Sequence, residues 1–195
     1  MALRLASTFP AALLLAALVL SVLLAAAQPA RAQSDAGACI RHVGAAERAH
    51  GIPPGLLMAI GVVEARWNGT IWPWTLNING VPHYLPDRAA ALARMSRADG
   101  SMHADMAVGC MQVFVKYHRQ EFRGPADMLD PARNVWYAAS YLTSLRREEG
   151  NWIKAVGRYH AGNPADQKAY LCRVVRARVG LGYQTPTAQY KAMCG

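Results

Sequence analysis

The 195-residue chain is predicted to fold as a mainly α-helical, compact multi-helix single domain with a small irregular or hairpin excursion. Apolar residues recur at helical spacing in about six short segments. Several segments begin at Asp or Asn followed by Pro, and several end at Gly, which are the usual signals for the ends of helices. One passage rich in aromatic and turn residues interrupts the helical pattern, and neither a repeat nor a linker indicates a second domain.

The first 32 residues are predicted to be a signal peptide. Arg4 supplies a basic start, an apolar run extends from about Ala11 to Ala27, and Ala30-Arg31-Ala32 forms a small-x-small cleavage site before Gln33. The alternative is an uncleaved membrane anchor, since roughly 18 apolar residues can just span a bilayer. The cleavage site favours the signal peptide, and we therefore expect an exported, periplasmic protein.

Two helices are predicted at the start of the exported chain. The first runs from Ala38 to His50 and is closed by Gly51. The turn GIPPG follows, and its Pro54 suits the first position of a helix. The second helix lies within the stretch GLLMAIGVVEARW, from Gly55 to Trp67.

A single carboxylate interrupts the apolar face of this second helix. Glu64 shares that face with three residues at helical spacing, Leu57, Ile60 and Gly61. Burial disfavours a charged carboxylate, so the pKa of Glu64 should be raised, as a general acid at neutral pH requires. The alternative is that Glu64 reaches solvent at the helix end or pairs with Arg66.

The aromatic passage from Trp67 to Leu85 is predicted to be an irregular loop or a short hairpin that turns at Asn79-Gly80. Trp72 and Trp74 lie within it. Exposed indole rings are suitable platforms for sugars, whereas buried ones would cap the core. The sequence leaves both alternatives open.

A further helix is predicted from Asp87 to about Arg97, followed by a loop. In the next stretch, GCMQVFVKYH, we expect Gly109 at a tight backbone position and Gln112 a residue or two into a helix. Three more helices are then predicted. They begin at Asp130-Pro131, Asn151 and Asn163-Pro164, and they end near Gly150, Gly162 and Gly180.

Four cysteines lie beyond the signal segment, and in an oxidising compartment they indicate two disulfides. Three pairings are possible, and spacing does not choose among them. We favour Cys39 with Cys110, which leaves Cys172 with Cys194 to pin a C-terminal tail at 181–195. Neither the cysteines nor the histidines show a metal-binding spacing, so no metal or other cofactor is expected.

The formal net charge is +9, and it is +7 without the two arginines of the signal segment. A basic chain favours an anionic partner. Export argues against nucleic acid and in favour of an acidic polymer of the cell envelope. The alternative is that the charge serves solubility alone.

Four short motifs occur in order along the chain: VVEA, GCMQV, RYHAGN and KAYLCRVV. In this order they resemble the soluble lytic murein transglycosylases, whose SLT domain is goose-type lysozyme-like and belongs to glycoside hydrolase family 23. The resemblance covers about Cys39 to Val179. It implies a fold of the α+β lysozyme-like superfamily, with the transglycosylase domain at residues 33–180.

The resemblance also implies roles for particular residues. Glu64 matches the catalytic acid. The residues that match the substrate-binding positions of the cleft are Met111, Gln112, Tyr159, His160 and Tyr170. For Met111 and the tyrosines, packing in the core is the alternative.

Two further residues are given supporting roles. Asn134 matches an asparagine that supports the cleft, where a cap or a buried hydrogen bond is expected. Asp105 is the nearest carboxylate in a motif, and we expect it to position the GCMQ turn rather than to act in catalysis.

The chain departs from the family pattern at three motif positions. Ala65 follows the acid where Ser is usual, Cys110 stands where Leu is common, and His160 stands where Asn is common. The change at Ala65 removes a hydroxyl that helps to place substrate or product in the family. These departures bear on efficiency and on the preferred strand length more than on the reaction.

The activity implied is cleavage of the β-1,4 bond between N-acetylmuramic acid and N-acetylglucosamine in peptidoglycan, leaving 1,6-anhydro ends. Relatives occur with flagellar, pilus and secretion assemblies, so such a component is a further expected partner of what we expect to be a monomer. Two alternatives remain: a hydrolytic muramidase of the same fold, and an inactive peptidoglycan-binding assembly component.

Overall fold

A computed structural model describes residues 35–160 and 162–194. The predicted signal peptide at 1–32 lies outside these residues. In the described part, no helix combines the length and apolar character needed to cross a membrane.

Helices dominate the described part of the chain, which contains nine α-helices and a short 3₁₀-helix at Arg119–Glu121. The α-helices are α1 Ile40–Ala49, α2 Leu56–Ala65, α3 Arg88–Met95, α4 Val115–His118, α5 Pro125–Met128, α6 Pro131–Glu149, α7 Trp152–His160, α8 Pro164–Gly180 and α9 Ala188–Cys194. The predicted mainly helical class is therefore confirmed.

Two small antiparallel sheets complete the fold. Their strands are β1 Arg66–Trp67, β2 Thr70–Ile71, β3 Thr75–Ile78, β4 Val81–Tyr84, β5 Met106–Val108 and β6 Val113–Phe114. One sheet pairs β1 with β2, and the other has the order β4-β3-β5-β6. The second sheet is the excursion from the helical pattern that the sequence predicts.

The hairpin between β3 and β4 turns at Asn79-Gly80, as predicted. Ile78 pairs with Val81, so the loop has two residues. Asn79 has φ 52° and Gly80 has φ 82°. A type I′ turn requires positive φ at both central residues, and Asn-Gly is the dipeptide that adopts this conformation most readily. The local sequence therefore determines this turn.

The predicted helical position of Gln112 is wrong. Residues 109–112 form the turn between β5 and β6, and α4 begins only at Val115. Gln112 has φ 47°, which a right-handed helix does not permit. Its side-chain amide donates to the carbonyl oxygens of Thr75 at 3.1 Å and Gly109 at 2.9 Å, and these bonds hold the turn.

The helix-start signals at Asp87, Asp130, Asn151 and Asn163 all function as caps. Each side chain accepts a hydrogen bond from the backbone N–H three residues later, at 2.8–2.9 Å. Such a bond satisfies one of the free N–H groups of the first helical turn. Helix α3 ends at Met95, slightly earlier than predicted.

Both favoured disulfides are present. Cys39 bonds Cys110, which ties the start of α1 to the turn at 109–112. Cys172 bonds Cys194, which ties α8 to α9. The pinned tail is therefore partly helical, which the sequence reading did not anticipate. The boundaries at 33, 180 and 195 stay predictions.

Helix α2 lies in the hydrophobic core, and Gly61 lets two side chains pack closely against it. A Cβ atom at Gly61 would lie 2.7 Å from Ile71 Cδ1 and 3.1 Å from Met111 Cε. A side chain here would displace the ends of these two buried side chains, which pack β2 and the 109–112 turn against α2. Gly61, in the stretch AIGVVE, therefore allows the GCMQ motif to approach the helix that carries Glu64.

Candidate functional site

A cleft of about 890 Å³ runs between the helices and the four-stranded sheet. Its walls come from the end of α2, the hairpin β3–β4, strands β5 and β6, α4, and the facing sides of α6, α7 and α8. The residues that line it include Glu64, Asp105, Gln112, Tyr117, His118, Tyr137, Tyr141, Arg158, Tyr159, His160 and Arg173.

Glu64 occupies the penultimate position of α2, and 13% of its side chain is exposed. Burial raises the pKa of its carboxyl from 4.5 to about 7, and the nearby Tyr170 phenol and Arg173 charge offset part of this rise. Among the ion pairs of the described residues, Glu64 does not pair with Arg66. The sequence alternative in which Arg66 neutralises the acid is therefore not observed.

Two tyrosines lie near the acid, of which Tyr170 is fully buried and Tyr159 is partly buried and lines the cleft. The Tyr159 hydroxyl donates to the Met111 carbonyl oxygen at 2.8 Å. The Tyr170 hydroxyl makes no hydrogen bond of ordinary geometry within the described residues, but it lies close enough to Glu64 to lower the pKa of that carboxyl. Burial and the charge of Glu64 raise the pKa of both phenols well above 10, so both are neutral. Tyr170 is thus the tyrosine that faces the acid.

His160 lies flat against Tyr170, with ring centroids 4.4 Å apart and an interplanar angle of 2°. This stacking places Nδ1 4.0 Å from Glu64 Oε1. Burial and the Arg173 charge lower the pKa of the imidazole, with Asp166 opposing them, which favours its neutral form. The contact with Glu64 is an ion pair only when the imidazole is protonated.

Met111 and Gln112 are placed differently by the structure. Met111 is fully buried, and its thioether packs against Gly61 behind the cleft. Gln112 lines the cleft, but its amide donors bind the backbone of the turn. Direct contact of either side chain with a substrate stays a prediction.

Asn134, at the start of α6, organises the same turn from the other side. Its Oδ1 accepts from Met111 N at 2.9 Å, and its Nδ2 donates to Val108 O at 2.9 Å and Met128 O at 3.0 Å. Gly109 has φ 77°, and a Cβ there would lie 2.9 Å from Asn134 Nδ2. The expected buried hydrogen bond is confirmed, and one side chain makes three of them.

Replacing Asn134 by alanine is expected to lower the free energy of unfolding by about 2–4 kcal/mol, because it removes three buried hydrogen bonds, to the Met111 N–H and to the carbonyl oxygens of Val108 and Met128. Urea denaturation followed by tryptophan fluorescence measures the loss. Asn151→Ala serves as the control, since it removes one exposed cap bond and should cost about 1 kcal/mol. If both variants lose the same free energy of unfolding, the three buried hydrogen bonds of Asn134 do not stabilise the fold as proposed.

Trp72 and Trp74 belong to the core rather than to the cleft. They are 5% and 4% exposed, and their indole N–H groups donate to Leu85 O and Asp35 Oδ2. Of the two alternatives left open by the sequence, the structure supports packing in the core.

The exposed aromatic surface of the cleft comes from residues that sequence reasoning missed. Tyr117 on α4 is 61% exposed, and His118 Nδ1 lies 2.8 Å from the hydroxyl of Tyr137 on α6. His118 also packs edge-on against Tyr141, with ring centroids 4.7 Å apart. The only sequence signal was VKYH following the GCMQ motif, and the tyrosines of α6 lie far away in the chain.

Sequence reasoning also missed the role of Glu47, a buried residue of α1. Its Oε2 accepts from Gly55 N at 2.9 Å, and its Oε1 accepts from Leu57 N at 2.8 Å and Met58 N at 3.2 Å. A carboxylate at this position satisfies the free N–H groups of α2 and complements the positive end of the helix dipole. Glu47 therefore anchors the helix that carries Glu64.

Asp105 is the second carboxylate that lines the cleft. Its side chain is exposed, and its backbone carbonyl accepts from Asn79 N at 2.9 Å, which joins the two hairpins. In the described residues, no group of three or more His, Cys, Asp or Glu side chains is arranged to hold a metal ion.

A protein-family model, described as the transglycosylase SLT domain, matches residues 41–171. The matched range includes Glu64, the 109–112 turn, Asn134, Tyr159 and Tyr170. No curated protein and no solved structure is significantly similar to the chain.

Proposed function

The chain belongs to the transglycosylase SLT domain family, and on this premise we propose that it is a lytic transglycosylase. Its substrate is the peptidoglycan glycan strand. The bond cleaved joins N-acetylmuramic acid to N-acetylglucosamine, and the muramic residue is left as a 1,6-anhydro end. The observation that carries the proposal is the nearly buried carboxyl of Glu64 in the wall of the cleft, where burial raises its pKa to about 7.

In the first half of the reaction, Glu64 acts as a general acid. Its proton passes to the glycosidic oxygen while the bond from that oxygen to the muramic C1 breaks. The N-acetylglucosamine side leaves with a free 4-hydroxyl. A carboxyl whose pKa is about 7 is well suited to this step, because much of it is protonated near neutral pH.

In the second half, the carboxylate of Glu64 acts as a base. It takes the proton of the muramic C6 hydroxyl while O6 bonds C1 and closes the 1,6-anhydro ring. The proton returns to Glu64, and no water is consumed. Since the attacking hydroxyl belongs to the substrate, the reaction needs no second carboxylate as a nucleophile or to activate water.

The remaining predicted site residues support this chemistry. Tyr170 and the stacked His160 face Glu64, and they hold the carboxyl in position against the cleft. Tyr159 binds the carbonyl oxygen of Met111 and thereby fixes the turn beneath the substrate. Gln112 offers its amide oxygen toward the sugar, since its N–H groups bind the backbone.

The product end group tests the proposal directly. Purified glycan strands are digested in ¹⁸O-labelled water, and the products are analysed by mass spectrometry. Transglycosylation yields muramic ends lighter by one water and free of label. Labelled reducing muramic ends would instead establish the hydrolytic muramidase.

The pH dependence follows from the raised pKa of Glu64. We expect kcat/KM to be highest below pH 7 and to fall about tenfold per pH unit above it, because the ionised carboxyl cannot protonate the leaving oxygen. Initial rates on soluble glycan strands at constant ionic strength measure this. A profile that stays flat to strongly alkaline pH would contradict Glu64 as the acid.

We further propose that the protein is exported through its N-terminal segment and acts in the periplasm as a monomer. The two disulfides support an oxidising compartment. A flagellar, pilus or secretion-system component that directs the enzyme to its place in the wall is part of this proposal. Copurification of such a component with the tagged protein from membranes tests it.

A further inference from the structure

Arg173 places a positive charge in the wall of the cleft beside the acid. It lies on α8 one turn beyond Tyr170, is exposed, and lines the cleft. Its guanidinium carbon lies 5.5 Å from the centroid of the Tyr170 ring. The neighbouring Cys172 is bonded to Cys194, so this part of α8 is also tied to α9.

The charge of Arg173 has no ion-pair partner among the described residues. The other arginine of the cleft, Arg158, differs in this respect because its Nε lies 3.2 Å from Glu149 Oε1. Two carboxylates line the cleft, Glu64 and Asp105, and neither forms an ion pair with Arg173. Within the described residues, the guanidinium thus lines the cleft without a carboxylate partner.

We propose that Arg173 is an anion subsite that binds a carboxylate of the peptidoglycan strand and so distinguishes this acidic polymer from neutral N-acetylglucosamine polymers. The inference rests on the proposed function. An arginine side chain can bind a carboxylate through two parallel hydrogen bonds, which adds geometric selectivity to charge attraction.

Peptidoglycan offers such a carboxylate in two forms. In peptide-free strands, the lactyl group of each muramic residue ends in a free carboxylate. In peptide-bearing strands, that group is an amide, and the carboxylates belong to the stem peptide. Neutral N-acetylglucosamine oligomers have the same backbone linkage but neither of these groups.

Occupation of this subsite would also act on the acid. The Arg173 charge lowers the pKa of Glu64, and a bound carboxylate would neutralise that charge. The acid would then stay protonated to higher pH in the complex than in the free enzyme. The substrate that fits the subsite would thereby favour the reactive protonation state.

Binding measured without turnover tests the subsite. In a Glu64→Gln background, isothermal titration would compare Arg173→Gln and Arg173→Lys with the parent. The three probes are an N-acetylglucosamine hexamer, peptide-free glycan strands and peptide-bearing strands. Arg176→Gln is the matched control, because Arg176 is exposed on the same helix and outside the cleft lining.

We expect Arg173→Gln to weaken binding of an acidic strand by about tenfold to a hundredfold, to leave the neutral hexamer unchanged, and to be partly rescued by lysine. Loss confined to peptide-free strands identifies the lactyl carboxylate, and loss confined to peptide-bearing strands identifies the stem peptide. Equal loss on all three probes, or none on either acidic strand, would overturn the proposal.

The outcome is separable from that of the proposed function. Selective binding through Arg173 with no 1,6-anhydro product from the wild type would reject the transglycosylase and retain the subsite. If wild type forms anhydro products but Arg173→Gln binds acidic and neutral strands as the parent does, the transglycosylase is retained and the subsite is rejected. The pH dependence of active enzyme provides an independent readout. In wild type, we expect kcat to fall at a higher pH than kcat/KM, because the bound substrate keeps Glu64 protonated. In Arg173→Gln, we expect this difference between the two profiles to be lost.

Discussion

Glu64→Gln is expected to lower the rate of glycan cleavage at pH 6 by a factor of about 10² to 10⁴, because general acid–base catalysis contributes this much and the amide cannot donate the proton. The rate of appearance of anhydro ends from soluble strands measures the loss. Glu148→Gln is the matched control, since Glu148 is an exposed carboxylate on α6 that is not among the residues lining the cleft. Equally poor cleavage by wild type and Glu64→Gln would instead favour the inactive peptidoglycan-binding component.

The same substitution should not destabilise the fold. A buried carboxyl with its pKa raised from 4.5 to about 7 contributes stability that is present below pH 4.5 and lost as pH rises to 7. Above pH 7 this loss amounts to about 3 kcal/mol. Urea denaturation should therefore show Glu64→Gln to be more stable than wild type at pH 8, with a smaller difference at pH 5. A variant unfolded at both pH values would invalidate the kinetic comparison.

Glu47→Ala is expected to lower the free energy of unfolding by about 3 kcal/mol or more, because three backbone N–H groups at the start of α2 lose a charged acceptor inside the protein. Glu47→Gln should cost less, since an amide oxygen can still accept some of these bonds. Urea denaturation at pH 6 measures both changes.

The effect of Glu47 on activity should follow from the position of α2. This helix carries Glu64 at its other end, so loosening its start should lower activity in the fraction that stays folded. Glu148→Ala provides the exposed control and should change stability by less than about 0.5 kcal/mol. Stability of Glu47→Ala equal to that of this control would show that the N–H groups find other acceptors.

Much of the fold could be predicted because its signals are local. Asp or Asn before Pro, as at Asp130-Pro131 and Asn163-Pro164, starts a helix by satisfying N–H groups within four residues of chain. Asn79-Gly80 turns a hairpin for a similarly local reason, the positive φ of both residues. These interactions involve neighbours in sequence, so they can be read without knowledge of the rest of the molecule.

The prediction for Gln112 was wrong because its conformation depends on distant partners. The turn at 109–112 is held by Thr75 from one strand, by Asn134 from α6 and by the Cys39–Cys110 disulfide. Helical spacing after GCMQ indicated the helix at Val115 but placed its start too early. Local preference was overridden by hydrogen bonds that span up to 37 residues.

The arrangement of residues in the cleft also depends on contacts between distant parts of the chain. The sequence pointed to Glu64 as an unusual carboxylate on an apolar face, and the motifs pointed to Tyr159, His160 and Tyr170. It did not indicate that Tyr170, rather than Tyr159, faces the acid, or that Tyr117 supplies exposed aromatic surface. Each of these depends on how helices cross, and the sequence spacing does not contain that information.

By itself, then, the sequence determined the helical class, the starts of several helices, the hairpin turn and the family to which the chain belongs. The tertiary structure alone decided which buried groups surround Glu64, and those groups set its pKa. It also decided that Glu47 anchors the helix of the acid and that Arg173 faces the cleft without an ion pair. The physical reason is that caps and turns are satisfied over a few residues, whereas burial, desolvation and charge pairing depend on all the elements that meet at one point.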